Sequence, residues 1–406
     1  MTTGAPSDRR ARASLLTGST LVALGLAVGQ VLGYLLNVVG ARLLGPSGYG
    51  ELSSVLGLLL IGYVVALAVQ TVASRRTAVG EGSPGELVPL GLRFGALEAA
   101  VALVLAPVIA ALLHLDVVAV AAIALALLPI TLSGVALGVV QGAQRFATLA
   151  AQYAVLSGAR TGLALVALLV WRDVRAAALG LLIGSILAWW AVTSLADAAR
   201  WTRAAPAREM SAETLRVAHA LLALFTFTSV DVLLARAVQP AEPAGQYAAG
   251  AILVKIAFWL PQAVVVAAFP QMSTGVGGTL RRAALLVGGL GALLVGAGAL
   301  LGPVLVAPVL GAGYDLAASH AWLFVLVGVL ESLAYLVVFD RLAARDRTAV
   351  WLVWGAVVLV VVLAVAVGRT PVGLAWVLVL ASLLLCACGV AVPRRTAGGT
   401  AAPAHG

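Results

Sequence analysis

The sequence predicts an all-α polytopic membrane protein, with about 12 transmembrane helices in two six-helix lobes. A parallel repeat relates the lobes around a central cleft. Three observations carry this expectation. Of the 406 residues, 62% are hydrophobic and only 10% are charged, whereas a soluble domain carries roughly a quarter charged residues. Apolar stretches of about 20 residues, the length that crosses a bilayer, recur along the whole chain. A short motif also returns nearly half a chain later.

The spans are expected at 18–41, 50–73, 87–113, 117–140, 148–170, 176–196, 216–238, 246–270, 283–305, 318–340, 350–368 and 371–392. Each is bounded by Arg, Gly, Pro or Asp. His114-Leu115-Asp116 and Gly368-Arg369-Thr370-Pro371 leave room only for tight turns. The stretch 283–313 reads as one long helix or as a helix with a re-entrant turn. Arg9, Arg10 and Arg12 before the first apolar run resemble a signal peptide. That run is too long for an h-region and lacks a small-residue cleavage site, so it reads as a retained span. The organisation is then a cytoplasmic segment 1–17, an N-terminal lobe 18–196, a cytoplasmic linker 197–215, a C-terminal lobe 216–392 and a disordered cytoplasmic tail 393–406.

Arginine sets the expected orientation. With the N-terminus inside, eighteen basic residues fall on the cytoplasmic side and four outside (Arg42, Arg172, Arg175, Arg369), with Arg160, Arg236 and Lys255 within spans. This asymmetry obeys the positive-inside rule and places both termini in the cytoplasm of a plasma-membrane protein. It also accounts for the net charge of +9 without a nucleic-acid partner, since no soluble basic face is left to present. Cys386 and Cys388 are too few for a disulfide framework, and His114, His219, His320 and His405 are scattered. No metal site and no cofactor are expected.

The repeat lies at the end of spans 1 and 7. Asn37, Val38, Ala41, Arg42 and Pro46 recur at the same offsets as Asp231, Val232, Ala235, Arg236 and Pro240. Gly48-Tyr49 and Gly245 with Tyr247 follow. The copies divide twelve spans into six plus six. An even number sends both halves into the membrane from the same side, as in parallel-repeat transporters.

Polar groups at bilayer depth cost several kcal/mol unless they face a cavity or a partner, so they point to function. Tyr153, Ser157 and Arg160 share one helix face at i, i+4, i+7, and Lys255, Trp259 and Gln262 repeat the spacing on span 8. Gln30, Tyr34 and Asn37 form an uncharged stripe on span 1. These stripes read as walls of a hydrated cleft, with Arg160, Lys255, Tyr153, Ser157, Gln262, Asn37, Tyr34 and Gln30 as candidate substrate-binding residues. The competing reading is hydrogen bonding inside a packed bundle. Asp231, Glu331 and Glu98 are candidate ion-coupling acids or, equally, structural partners of Arg160 or Lys255. Arg236 reads as an outer-border residue free to snorkel. Gly45-Pro46-Ser47-Gly48-Tyr49-Gly50 lacks Walker spacing and a lysine, so it reads as an outer turn.

The runs Ala41-Arg42-Leu-Leu-Gly-Pro-Ser-Gly-Tyr-Gly-Glu51, Asp231-Val-Leu-Leu-Ala-Arg236, Ala244-Gly-Gln-Tyr247, Lys255-Ile-Ala-Phe-Trp-Leu-Pro261, Phe269-Pro270 and Gly311-Ala-Gly-Tyr314 resemble one family. It is that of bacterial polysaccharide and oligosaccharide flippases (O-antigen flippase-like) in the multidrug/oligosaccharidyl-lipid/polysaccharide exporter superfamily. The resemblance implies a two-lobed bundle of 12–14 helices. It implies alternating access for a polyprenyl-diphosphate-linked oligosaccharide, moved from the cytoplasmic to the outer face for cell-surface polysaccharide biosynthesis. It also implies membrane lipid around the protein, with glycan polymerase or glycosyltransferases as partners. Arg160 and Lys255 in such a cleft would offset diphosphate charge. The alternative within the superfamily is a small-molecule or multidrug efflux antiporter, which needs an acidic or apolar lining. An enzyme would need larger outer loops than the short ones here, which carry lone acids such as Asp173, Glu242 and Asp315.

Overall fold

The computed structural model describes the backbone of residues 6–81, 84–195, 208–273, 279–344, 346 and 348–393. Side chains are described for these except 6–19, 84–85, 195, 208, 260–273, 279 and 343. Among the described residues there are thirteen helices and no strand. In order they are α1 (Pro6–Ala78), α2 (Pro84–Leu113), α3 (Val117–Gly142), α4 (Phe146–Trp171), α5 (Val174–Leu195), α6 (Arg208–Phe227) and α7 (Val230–Val238). Then follow α8 (Ala241–Ser273), α9 (Thr279–Leu310), α10 (Asp315–Ser319), α11 (Ala321–Ala343), α12 (Thr348–Val367) and α13 (Pro371–Ala391). Ten of the twelve expected spans fall on single helices; 216–238 and 318–340 each cross a break, between α6 and α7 and between α10 and α11. Among the described residues nine helices are long and apolar enough to cross a membrane, and the bent pair α6–α7 makes a tenth. The protein is a multi-pass membrane protein: Val104, Leu293 and Leu300 are 76%, 72% and 77% exposed, which suits side chains whose solvent is hydrocarbon.

The expected tight turn between helices at 45–50 takes the form of a kink. Gly45, at φ 64, joins two helical arms of α1 end to end, and Pro46 fits the first turn of the second arm because it needs no N–H partner there. Span 7 is not one helix. Ser229 leaves helical geometry at φ −139, the Thr228 hydroxyl bonds back to Leu224 O, and α6 and α7 bend by 53°. Such back-bonding competes with the helix ladder. Where alternatives stood open at 283–313, α9 is a single helix to Leu310, and Gly311 (φ 99) and Gly313 (φ 93) make the turn after it. Asp116 starts α3 by accepting the N–H groups of Val118 and Ala119. α6 begins at Arg208, inside the segment expected as linker. The tail from residue 394 lies outside the described residues.

The chain forms two compact units. The first comprises residues 1–44 and 55–222, the second 45–54 and 223–406. In the first, glycine sets the packing. Gly134, Gly138 and Gly142 lie one turn apart on α3, and a Cβ on them would stand 2.5, 2.5 and 2.3 Å from the carbonyl oxygens of Ala66, Gln70 and Ser74. Those three are also spaced by four, so the backbones of α1 and α3 meet along a small-residue stripe. Gly180 and Gly184 of α5 meet α4 at Ala164 and at Ala159-Arg160 in the same way. Val69, Val72, Leu87, Leu90, Val135 and Met210 close an adjoining core.

In the second unit, Ala223, Phe227, Ala334, Val338, Val353 and Leu385 join α6, α11, α12 and α13. The two copies of the repeated motif meet here. A Cβ on Gly245 would lie 1.7 Å from Pro46 O, and one on Gly50 would lie 3.0 Å from Gly245 Cα. Tyr49 is fully buried edge-on to Tyr314, ring centroids 6.3 Å apart, and the Gln246 amide donates to Gly313 O. The glycine-rich motif is thus a packing clasp. Arg236, expected to snorkel, is instead buried and within electrostatic reach of Glu51.

Candidate functional site

Two polar clusters stand out, one in each unit. The first unit holds Tyr153, Ser157 and Arg160 on one face of α4, as the spacing predicts. The glycine stripe brings α1 and α3 alongside. Gln70, 6% exposed, donates its amide to Gln141 Oε1 at 2.9 Å and to the Tyr153 hydroxyl at 2.8 Å. The Gln70 carbonyl oxygen is buried with no hydrogen-bond partner. Arg160 lies over the Tyr63 ring, Cζ 5.4 Å from its centroid. Among the described residues no carboxylate pairs with Arg160. The ring face offers the guanidinium a cation–π contact worth about 0.5–2 kcal/mol. Ser157 Oγ is turned toward Gly29 of α1, where a Cβ would meet it at 2.4 Å.

The second unit gathers Asp231, Lys255 and Glu331. The break before α7 puts Asp231 in the first turn of that helix, where helix partial charge favours an anion. Tyr247 of α8 donates to Asp231 Oδ2 at 2.9 Å. Lys255, two turns further along α8, is within electrostatic reach of both Asp231 and Glu331. Gly328 makes this possible. A Cβ there would lie 2.2 Å from Val254 O, so α11 approaches α8 closely and carries Glu331 to the lysine. Asp231 and Glu331 are 4% and 3% exposed. One ammonium faces two carboxylates, a formal net charge of −1. Asp231 Oδ1 and the hydroxyls of Ser229 and Ser332 are buried with no hydrogen-bond partner.

The expected residues therefore separate. Arg160, Tyr153 and Ser157 belong to the first unit, Lys255, Asp231 and Glu331 to the second. Glu98 joins neither cluster; it accepts from Thr131 at 3.2 Å and ties α2 to α3. On α1, Gln30 is exposed and Tyr34 half-buried, while the Asn37 amide bonds back to Gly33 O at 2.8 Å. Trp259 is 53% exposed beside Phe258, and the Gln262 side chain lies outside the described residues. Sequence reasoning missed Tyr63, Gln70 and Gln141. Gln70 and Gln141 sit at span ends, where a polar residue is ordinary, and only the glycine spacing on α3 pointed to a close partner helix.

No protein-family model and no curated protein sequence matches the chain. Solved structures do. The chain is similar to the lipid II flippase MurJ in an inward closed conformation, with a TM-score of 0.75 at 11% identity over 91% of this chain and 87% of that one. It is similar to a multidrug resistance MATE family transporter of the MOP superfamily in an inward-facing conformation, at 0.67 and 14%, covering 91% and 97%. A MOP superfamily transporter from Pyrococcus furiosus matches at 0.63 and 13%, covering 93% and 94%. At these identities the likeness is one of fold: the chain shares the all-helical fold of these three structures.

Proposed function

We propose that this protein is a flippase that carries a polyprenyl-diphosphate-linked oligosaccharide from the cytoplasmic to the outer face of the plasma membrane by alternating access. Both termini would be cytoplasmic, and the product would feed glycan polymerase and glycosyltransferases of cell-surface polysaccharide assembly. The observation that carries the reading is Arg160: a mid-span guanidinium with no carboxylate partner among the described residues, on one face with Tyr153 and Ser157. An unpaired charge at that depth costs several kcal/mol, which an anionic cargo offsets. A guanidinium grips phosphate oxygens through two parallel donors. Lys255 takes a different role from the one its span position suggests. It lies within electrostatic reach of Asp231 and Glu331, which supports this trio as the candidate coupling site for a proton or monovalent cation. Gln30 and Tyr34 are left as further cargo contacts. The lipid II flippase among the similar structures supports the cargo class.

The acidic excess of the Asp231–Lys255–Glu331 trio and the MATE transporters among the similar structures favour a second reading, a cation-coupled small-molecule exporter. Cargo sign separates the two. In vesicles containing the purified protein, a labelled prenyl-diphosphate sugar is expected to change leaflet, and Arg160→Gln to slow it at least about tenfold while the protein stays folded. Export of a cationic dye with no movement of the prenyl lipid would replace the flippase by the exporter.

A further inference from the structure

We infer that Gln70 and Gln141, with Tyr153, form a neutral subsite for the hydroxyl-rich glycosyl head group of the cargo, separate from the Arg160 anion site. This rests on the flippase reading and extends it to what is read on the cargo. A packed interhelix network would spend its donors and acceptors on one another. This cluster does not. Gln70 uses its amide N–H groups on Gln141 and Tyr153 and leaves its carbonyl oxygen buried and unmatched. Gln141 is exposed and Tyr153 half-buried, and among the described residues neither the Gln141 amide N–H groups nor the Tyr153 phenolic proton has a hydrogen-bond acceptor. The cluster therefore offers donors and an acceptor together and carries no charge. A sugar hydroxyl both donates and accepts, and fits such a set. A phosphate only accepts, so it leaves the Gln70 oxygen unsatisfied at a cost. A cationic drug finds no carboxylate here.

The placement agrees. Tyr153 lies seven residues before Arg160 on the same face of α4, about 10 Å along the axis. Gln70 and Gln141 lie at the ends of their spans that the arginine distribution assigns to the cytoplasm, where a glycan made inside first meets the protein. One face thus offers the diphosphate a cation deeper in the membrane and the glycan a neutral amide–phenol patch nearer its source. Gly138, against Gln70 O, holds α1 and α3 together and keeps the two amides in register.

The test compares two lipids on the full-length protein in vesicles: a prenyl diphosphate bearing a disaccharide, and the same prenyl diphosphate without sugar. Gln141→Ala and Tyr153→Phe each remove one group, from an exposed and a half-buried side chain respectively. Both are expected to weaken binding of the glycosylated lipid about tenfold, roughly one hydrogen-bonded pair, and that of the bare lipid less than about twofold. Arg160→Gln is expected to weaken both lipids alike. Equal losses for the two lipids in Gln141→Ala and Tyr153→Phe, or no loss in either, would overturn the subsite and leave the anion site standing. Failure of the unaltered protein to bind even the bare prenyl diphosphate would overturn the flippase reading and the subsite with it.

Discussion

Lys255→Met removes the one cation between two carboxylates that are 4% and 3% exposed. Tyr247 still donates to Asp231, but Glu331 and Asp231 then face each other in a low dielectric. Removing one partner of a buried charged group typically costs about 3–5 kcal/mol. A unit of this size loses roughly 2–4 °C per kcal/mol, so the unfolding midpoint of the purified protein is expected to fall by about 6 °C or more. Glu331→Gln leaves Asp231 and Lys255 as a matched pair and should cost about 1 kcal/mol, an ordinary polar substitution. Adding Glu331→Gln to Lys255→Met removes the like-charge repulsion and should recover part of the loss. The assay is thermal unfolding in one detergent, followed by tryptophan emission, on the three variants. If Lys255→Met melts with the unaltered protein while Glu331→Gln melts well below it, the lysine does not neutralise this cluster.

Other expectations concern packing and the helix ends. Gly138→Val places a side chain whose Cβ would stand 2.5 Å from Gln70 O; overpacking of this kind costs about 1–3 kcal/mol, read as a lower melting midpoint. Arg341 is buried, donates to Gly389 O and Val392 O at the end of α13, and pairs with buried Asp346. Arg341→Met takes the cation from that carboxylate, leaving it the Thr348 N–H and hydroxyl, and should cost about 3–5 kcal/mol, with Asp346→Asn as a partial rescue. Arg75 holds Glu213 through two hydrogen bonds of 2.6 and 2.7 Å, which keeps that carboxyl below the usual carboxylate range. Its stabilisation is therefore present above the ordinary carboxylate pKa and lost as pH falls through the lowered value. Glu213→Gln should flatten the acid side of the stability–pH curve, measured by melting between pH 7 and pH 3.

Much of the fold was readable because hydrocarbon imposes one rule on every span: apolar and about 20 residues long. The misreadings occurred where backbone geometry departs from that rule. The outer turn expected at Gly45-Pro46 is compressed to a kink, since glycine and proline together permit a break without intervening residues. The Thr228–Ser229 break hides inside an apolar run, because hydroxyls that bond their own backbone look neutral in composition. The candidate site was half legible. Helical spacing put Tyr153, Ser157 and Arg160 on one face, and Asp231, Lys255 and Glu331 were conspicuous as charges in spans. Gln70 and Gln141 were not, since polarity at a span end is unremarkable.

Alone, the sequence determined the span positions and which charged groups had to be accounted for inside the bilayer, because both follow from the cost of moving single residues out of water. Only the tertiary structure decided that Lys255 comes within electrostatic reach of two acids while Arg160 rests on a tyrosine ring. Periodicity says which face of a helix a residue occupies; Coulomb energy depends on what the neighbouring helix brings to that face, and glycine contacts such as Gly328 on Val254 set that approach.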